Sequence, residues 1–150
     1  MNWPWKRWGR VVGKQDEARI IEAIRRAEQG NRGEVMVHVE RRCAGGDALA
    51  RAAALFESLG LRRTAADTGV LLYVAVDDRR AAVFAGQGLY GAAKPDFWKG
   101  VVDAVVTGCK RDDLVTGLEG ALERVGGLLF TAAPGDDVAG NELPDRVSHG

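Results

Sequence analysis

Cysteine is nearly absent. Cys43 and Cys109 are the only two in 150 residues, too few for a disulfide scaffold and without metal-ligand spacing. Histidine is as scarce, with only His38 and His149. Neither sign of charge is in excess: Lys plus Arg and Asp plus Glu number 21 each. The electrostatic basis of nucleic-acid binding is therefore missing, and no nucleic-acid partner is expected. Long hydrophobic runs are missing too, since the strongest, Val70 to Val76, falls far short of the ~20 residues of a membrane-spanning helix. The sequence holds no G-x-x-x-x-G-K-[ST] loop and no G-x-S-x-G elbow, so it lacks a P-loop nucleotide site and the α/β-hydrolase nucleophile turn. Gly86-Gln87-Gly88 has its next glycine misplaced for a dinucleotide turn, and it follows a hairpin strand rather than opening a βαβ unit.

What is present is ordinary for a soluble globular chain, at 46% apolar and 28% charged residues. One domain of this length buries roughly 68–70% of its unfolded surface and needs no disulfide or metal staple. Charge is spread unevenly along it. Lys6, Arg7, Arg10 and Lys14 open the chain without an acid, interleaved with Trp3, Trp5 and Trp8. Asp136, Asp137, Glu142 and Asp145 oppose only Arg146 near its end. This divides the chain into a basic Trp-rich arm (1–13), an α/β domain (14–130) and an acidic tail (131–150). Cations interleaved with indoles suit a shallow contact with a membrane surface or a membrane-protein partner. Tryptophans docked on the domain's own surface are the competing reading, and Pro4 rules out an early helix. No apolar signal segment follows the charges, so the expected location is cytoplasmic, peripheral to a membrane where the arm docks.

Helical periodicity begins near Lys14, with Ile20, Ile21, Ile24 and Ala27 on one face. Gly30 suits a left-handed stop. Glu34 to Glu40, Glu-Val-Met-Val-His-Val-Glu, reads as a buried strand. Asp47 is a good N-cap for a helix marked by Leu49, Ala52, Ala53, Phe56 and Leu59 and closed by Gly60. Gly69 to Val76 is the strongest strand. The short Asp77-Asp78-Arg79 connection makes the next strand, Ala81 to Ala85, antiparallel to it, because a parallel return needs about a dozen residues. A glycine-rich turn follows at Gly86, Gly88 and Gly91. Pro95 then opens a mostly buried helix through Cys109, and a last helix starts near Asp112. Gly108, Gly117, Gly120, Gly126 and Gly127 weaken these two helices, so packing must hold them. The first two strands, joined by a helix, are expected to be parallel. The fold class is α/β: a three-layer α/β/α sandwich with a small mixed sheet flanked by helices on both faces.

Parallel strands open their C-terminal ends on one sheet edge, where α/β proteins bind ligands. That edge gathers Asp47, Asp77, Asp78 and Arg79. Clustered carboxylates repel one another, and a hard cation such as Ca²⁺ or Mg²⁺ relieves the repulsion. With Arg79 on a phosphate, a metal held by Asp47, Asp77 and Asp78 would suit phosphate-ester hydrolysis. The structural alternative reads Asp47 as a helix cap and Asp77-Asp78 as a turn. A second constellation lies at the opposite edge, where Gly86 and Gly88 stand beside Glu34 and Asp67. It holds a ligand or is simply a tight strand-to-helix turn. Cys43 lies in a loop with Arg41 and Arg42, but no partner base is evident, and a structural or incidental cysteine is the expected reading.

One set of residues is more specific. Ala27-Glu28, Gly33 to Glu40, Leu55 to Gly60, Thr64, Gly69 to Ala75, Asp78-Arg79, Gly86-Gln87-Gly88-Leu89, Gly117-Leu118 and Asn141-Glu142-Leu143-Pro144-Asp145 follow in the order seen in the TPM domain. The chain resembles that family over about residues 15–147. The family includes thylakoid-lumen proteins of photosystem II repair and many bacterial proteins. The resemblance implies an α/β/α sandwich, divalent-metal binding in some members and acid phosphatase activity in a plant branch. One departure concerns the glycine loop, where many short members carry an acid and this chain has Gly86. The expected function is a TPM-like binding module, taking Ca²⁺ or another divalent cation and assisting a membrane-associated or protein-complex process. The alternative is a metal-assisted acid phosphatase, with Arg79 as its catalytic residue.

Overall fold

The computed structural model describes residues 11–63, 67–135 and 147–149. The tryptophans of the arm, Thr64 and the Asn-Glu-Leu-Pro-Asp motif at 141–145 lie outside them. In chain order the elements are α1 (Lys14–Glu28), β1 (Glu34–Glu40), α2 (Ala48–Ser58), a 3₁₀ turn (Leu61–Arg63), β2 (Gly69–Ala75), β3 (Arg80–Ala85), α3 (Gln87–Tyr90), α4 (Pro95–Lys110), α5 (Leu114–Ala132) and β4 (Val147–His149).

The four strands form one sheet in the order β3-β2-β1-β4. β1 and β2 are parallel, with Glu34 opposite Gly69 and His38 opposite Tyr73, and β2 and β3 are antiparallel. Both orientations follow from the connection lengths. β4 is an addition from within the acidic tail: it runs parallel to β1 on its free side, with Ser148 opposite His38. Three residues among polar neighbours carry no periodic signal, so the sequence does not mark this strand. The glycine turn also tightens further than its composition predicts, closing into the single turn of α3, which the Trp98 indole N–H pins by donating to the Tyr90 carbonyl at 3.2 Å.

Strand alternation separates two cores. Val35, Val37 and Val39, with Val70, Leu72 and Val74, face the layer of α1, α4 and α5. Met36, Leu71, Tyr73 and Ala75 face α2 with Phe56 and Leu61. The result is a three-layer α/β/α arrangement. Val12 packs into the first core, anchoring the chain just ahead of α1. Cys43 and Cys109 are both free and belong to cores on opposite sides of the sheet, so they do not pair. The side of β1 that faces α2 is unusually polar, because Glu34, His38 and Glu40 share it with Met36 and all are buried. α2 packs over β2 and β3. Burying three ionisable groups on one strand face demands partners.

Candidate functional site

At the parallel edge each aspartate meets a local group. Asp47 caps α2, its Oδ1 accepting from the Ala50 N–H at 3.0 Å. Asp78 Oδ2 accepts from the Cys43 N–H at 2.7 Å, tying the β2–β3 turn to the loop after β1. Asp77 faces Arg41 at 3.8 Å and is exposed. Arg79 adopts a left-handed backbone, φ 51°, to close the turn. Burial pushes the Cys109 thiol up, and the Arg79 charge works against that rise. Asp47 sits at the start of α2, away from that turn in the chain.

At the opposite edge Asp67 organises the backbone. Its Oδ2 accepts from the Gln87 N–H at 3.0 Å and its carbonyl accepts from the Gly88 N–H at 3.2 Å. Its own φ is 52°, a conformation Asp and Asn tolerate better than most residues. The other carboxylate oxygen, Oδ1, is buried and has no hydrogen-bond partner among the described residues. A Cβ on Gly86 would fall 2.2 Å from the Asp67 carbonyl and 2.5 Å from Oδ1. The close approach explains why glycine stands here: no side chain fits without moving the backbone of Asp67. Glu34 starts β1 nearby, its N–H donating to the Thr68 carbonyl at 3.2 Å.

A third cluster escaped the sequence reading. Glu40 accepts from four donors. His38 Nε2 lies 3.1 Å from Oε1 and Arg51 Nη2 3.0 Å from it, Arg51 Nε is 3.2 Å from Oε2, and the Tyr73 hydroxyl donates to Oε2. On its other side the His38 ring meets Ser148 Oγ at 2.9 Å through Nδ1. Burial alone would raise the Glu40 carboxyl, but the bonds from His38, Arg51 and Tyr73 outweigh it and bring the pKa down to about 2. Burial, then the Glu40 carboxylate, hold the Tyr73 phenol protonated far above its usual range. The available signal was the spacing of His38 and Glu40, which places two polar side chains on one face of a strand read as buried. His149 is likewise buried, 3.2 Å from Glu17 of α1 through Nε2.

The sequence profile of the TPM domain matches residues 9–128, most of the chain. The chain belongs to the TPM domain family. Among solved structures this TPM domain is similar to the BA42 protein of the psychrophilic bacterium Bizionia argentinensis, at 30% identity and a TM-score of 0.83, covering 95% of this chain and 97% of that one. The N-terminal domain of cg2496 from Corynebacterium glutamicum shares the fold, at 13% identity and a TM-score of 0.63, over 84% of this chain and 78% of that one. Comparison with curated proteins finds no match. Among the described residues of this TPM domain no helix is long and apolar enough to cross a membrane. Nor do three His, Cys, Asp or Glu side chains come together there as a metal-ligand group. A cation would find no cage of three such side chains among the described residues. The unpartnered Asp67 oxygen fits a sparser site, completed by carbonyls and water.

Proposed function

We propose that this TPM domain is a binding module that takes a hard divalent cation, Ca²⁺ or Mg²⁺, at the edge formed by Asp67, Glu34 and the Gly86–Gly88 turn. The observation that carries it is the buried Asp67 Oδ1 with no hydrogen-bond partner among the described residues. A buried, unbonded carboxylate oxygen costs free energy, and a cation offsets that cost directly. Few protein carboxylates mean a weak site, with a dissociation constant of about 10⁻⁴–10⁻³ M. In this reading the cation tunes assembly with a membrane-associated or other protein complex, and the basic Trp-rich arm, 1–13, reaches a membrane surface or a membrane-protein partner.

The phosphatase alternative, with Asp47, Asp77 and Asp78 on a metal and Arg79 on the ester, has less behind it. Asp47 and Asp78 each already accept from a backbone N–H.

The test is a titration of metal-free protein with Ca²⁺ and with Mg²⁺, following backbone amides by NMR. Saturable shifts are expected at Glu34, Thr68, Gln87 and Gly88, weakened at least tenfold in Asp67→Asn. Asparagine keeps the φ of Asp67 and removes its charge. Shifts centred on Asp47 and residues 77–79 would move the cation to the other edge and favour the phosphatase. No saturable shift at millimolar metal would overturn the cation reading.

A further inference from the structure

The Glu40–His38–Ser148 chain has a chemical direction. Glu40 is held ionised and can only accept, so His38 Nε2 must carry the proton that bridges them at 3.1 Å. In the neutral imidazole Nδ1 then offers its lone pair to Ser148 Oγ, 2.9 Å away. Arg51 and Tyr73 occupy the remaining acceptor sites of Glu40, which fixes the carboxylate and the imidazole tautomer together. A carboxylate orienting an imidazole whose free nitrogen faces a hydroxyl is the arrangement that makes serine a nucleophile. The two ring nitrogens exchange their more common roles here, with the hydroxyl on Nδ1 and the carboxylate on Nε2.

We propose that Ser148 is a nucleophile toward small activated carboxylic esters, with His38 as its general base and Glu40 as the residue that positions His38. Ser148 Oγ attacks the ester carbonyl carbon, forming the O–C bond while its proton passes to His38 Nδ1. Collapse of the tetrahedral adduct breaks the bond to the alcohol oxygen, which leaves with the proton from Nδ1. Water, deprotonated by His38 in the same way, then releases the carboxylic acid and restores the serine hydroxyl. No redox step or cofactor is involved, and the proposal stands independently of the cation at Asp67.

Position and burial set the substrate size. Ser148 lies in the outermost strand of the sheet among the described residues, and α2 covers β2 and β3 rather than this flank. Its relative exposure is 6% and that of His38 is 3%, so a substrate has to be small to reach the hydroxyl.

Diisopropyl fluorophosphate, a small serine-directed reagent, tests this on the full chain by intact mass and peptide mapping. One adduct on Ser148 is expected, absent in Ser148→Ala and formed about 10²-fold more slowly in His38→Asn, the usual scale of a general base. Glu40→Gln should slow it similarly, a kinetic effect that a purely structural Glu40–His38 bond would not produce in a folded variant. Amide spectra confirm that each variant is folded; if Glu40→Gln is not, His38→Asn and Ser148→Ala decide. p-Nitrophenyl acetate should release p-nitrophenol in a burst that Ser148→Ala abolishes. No adduct on the folded protein, an adduct on Tyr73 or Cys43 instead, or an undiminished rate in His38→Asn would each overturn the proposal.

Discussion

Tyr73 stands directly opposite His38 in the parallel β1–β2 register, their rings 5.9 Å apart and inclined by 13°, and both side chains end on the Glu40 carboxylate. Two strands thus supply the buried carboxylate and two of the groups around it, and α2 supplies the counter-charge through Arg51. The register does the assembling, since a one-residue slip of β2 would turn Tyr73 to the other core.

Arg51 is the group whose removal tests that assembly most simply. It is about one-third exposed, while Glu40 is buried. Losing one partner of a fully buried pair costs about 3–5 kcal/mol, and solvent reaching Arg51 lowers that figure. Arg51→Met should therefore lower unfolding free energy by about 2 kcal/mol in urea melts. Glu40→Gln combined with Arg51→Met should recover part of the loss, because no bare charge remains buried. A single variant as stable as the wild type would show that Glu40 is solvated without its arginine.

Acid should reveal the same carboxylate. Glu40 falls from an ordinary 4.5 to about 2 on folding, so the folded state binds its proton less readily than the unfolded chain. The stabilisation is fully present above about pH 4.5 and is lost as pH falls toward 2. The span corresponds to roughly 3 kcal/mol. Stability measured between these limits should fall steeply in the wild type and less steeply in Glu40→Gln. Equal slopes would place the acid-sensitive carboxylates elsewhere.

The features legible in sequence are those that local physics decides. The buried character of β1 and β2, the left-handed Gly30, the Asp47 cap and the antiparallel β3 each depend on a few adjacent residues, and each is present. β4 and the Glu40 cluster depend on separation. Ser148 and His38 meet across 110 residues, and nothing near either position announces the other. Asp67 shows the same limit: its place at a strand start is readable, but its unpartnered oxygen arises only from the approach of Gly86.

The glycines of α4 and α5 divide into two kinds that sequence alone cannot distinguish. Where the helices cross, a Cβ on Gly108 would lie 2.8 Å from the Asp113 carbonyl and 2.9 Å from the Gly117 Cα. Backbone cannot yield as a flexible side chain can, so Gly108→Ala should destabilise by about 1–3 kcal/mol. Around Gly120 and Gly127, both within α5, a Cβ meets nothing within 4 Å. Alanine there keeps the helical backbone and reduces the freedom of the unfolded chain, adding about 0.4–1 kcal/mol at each site. Thermal melts of Gly108→Ala and of the Gly120→Ala, Gly127→Ala pair should move in opposite directions. The crossing holds these helices together through close backbone contact, and its glycines are required, whereas those at 120 and 127 only weaken α5. A stabilised Gly108→Ala would show that the two helices can separate without loss.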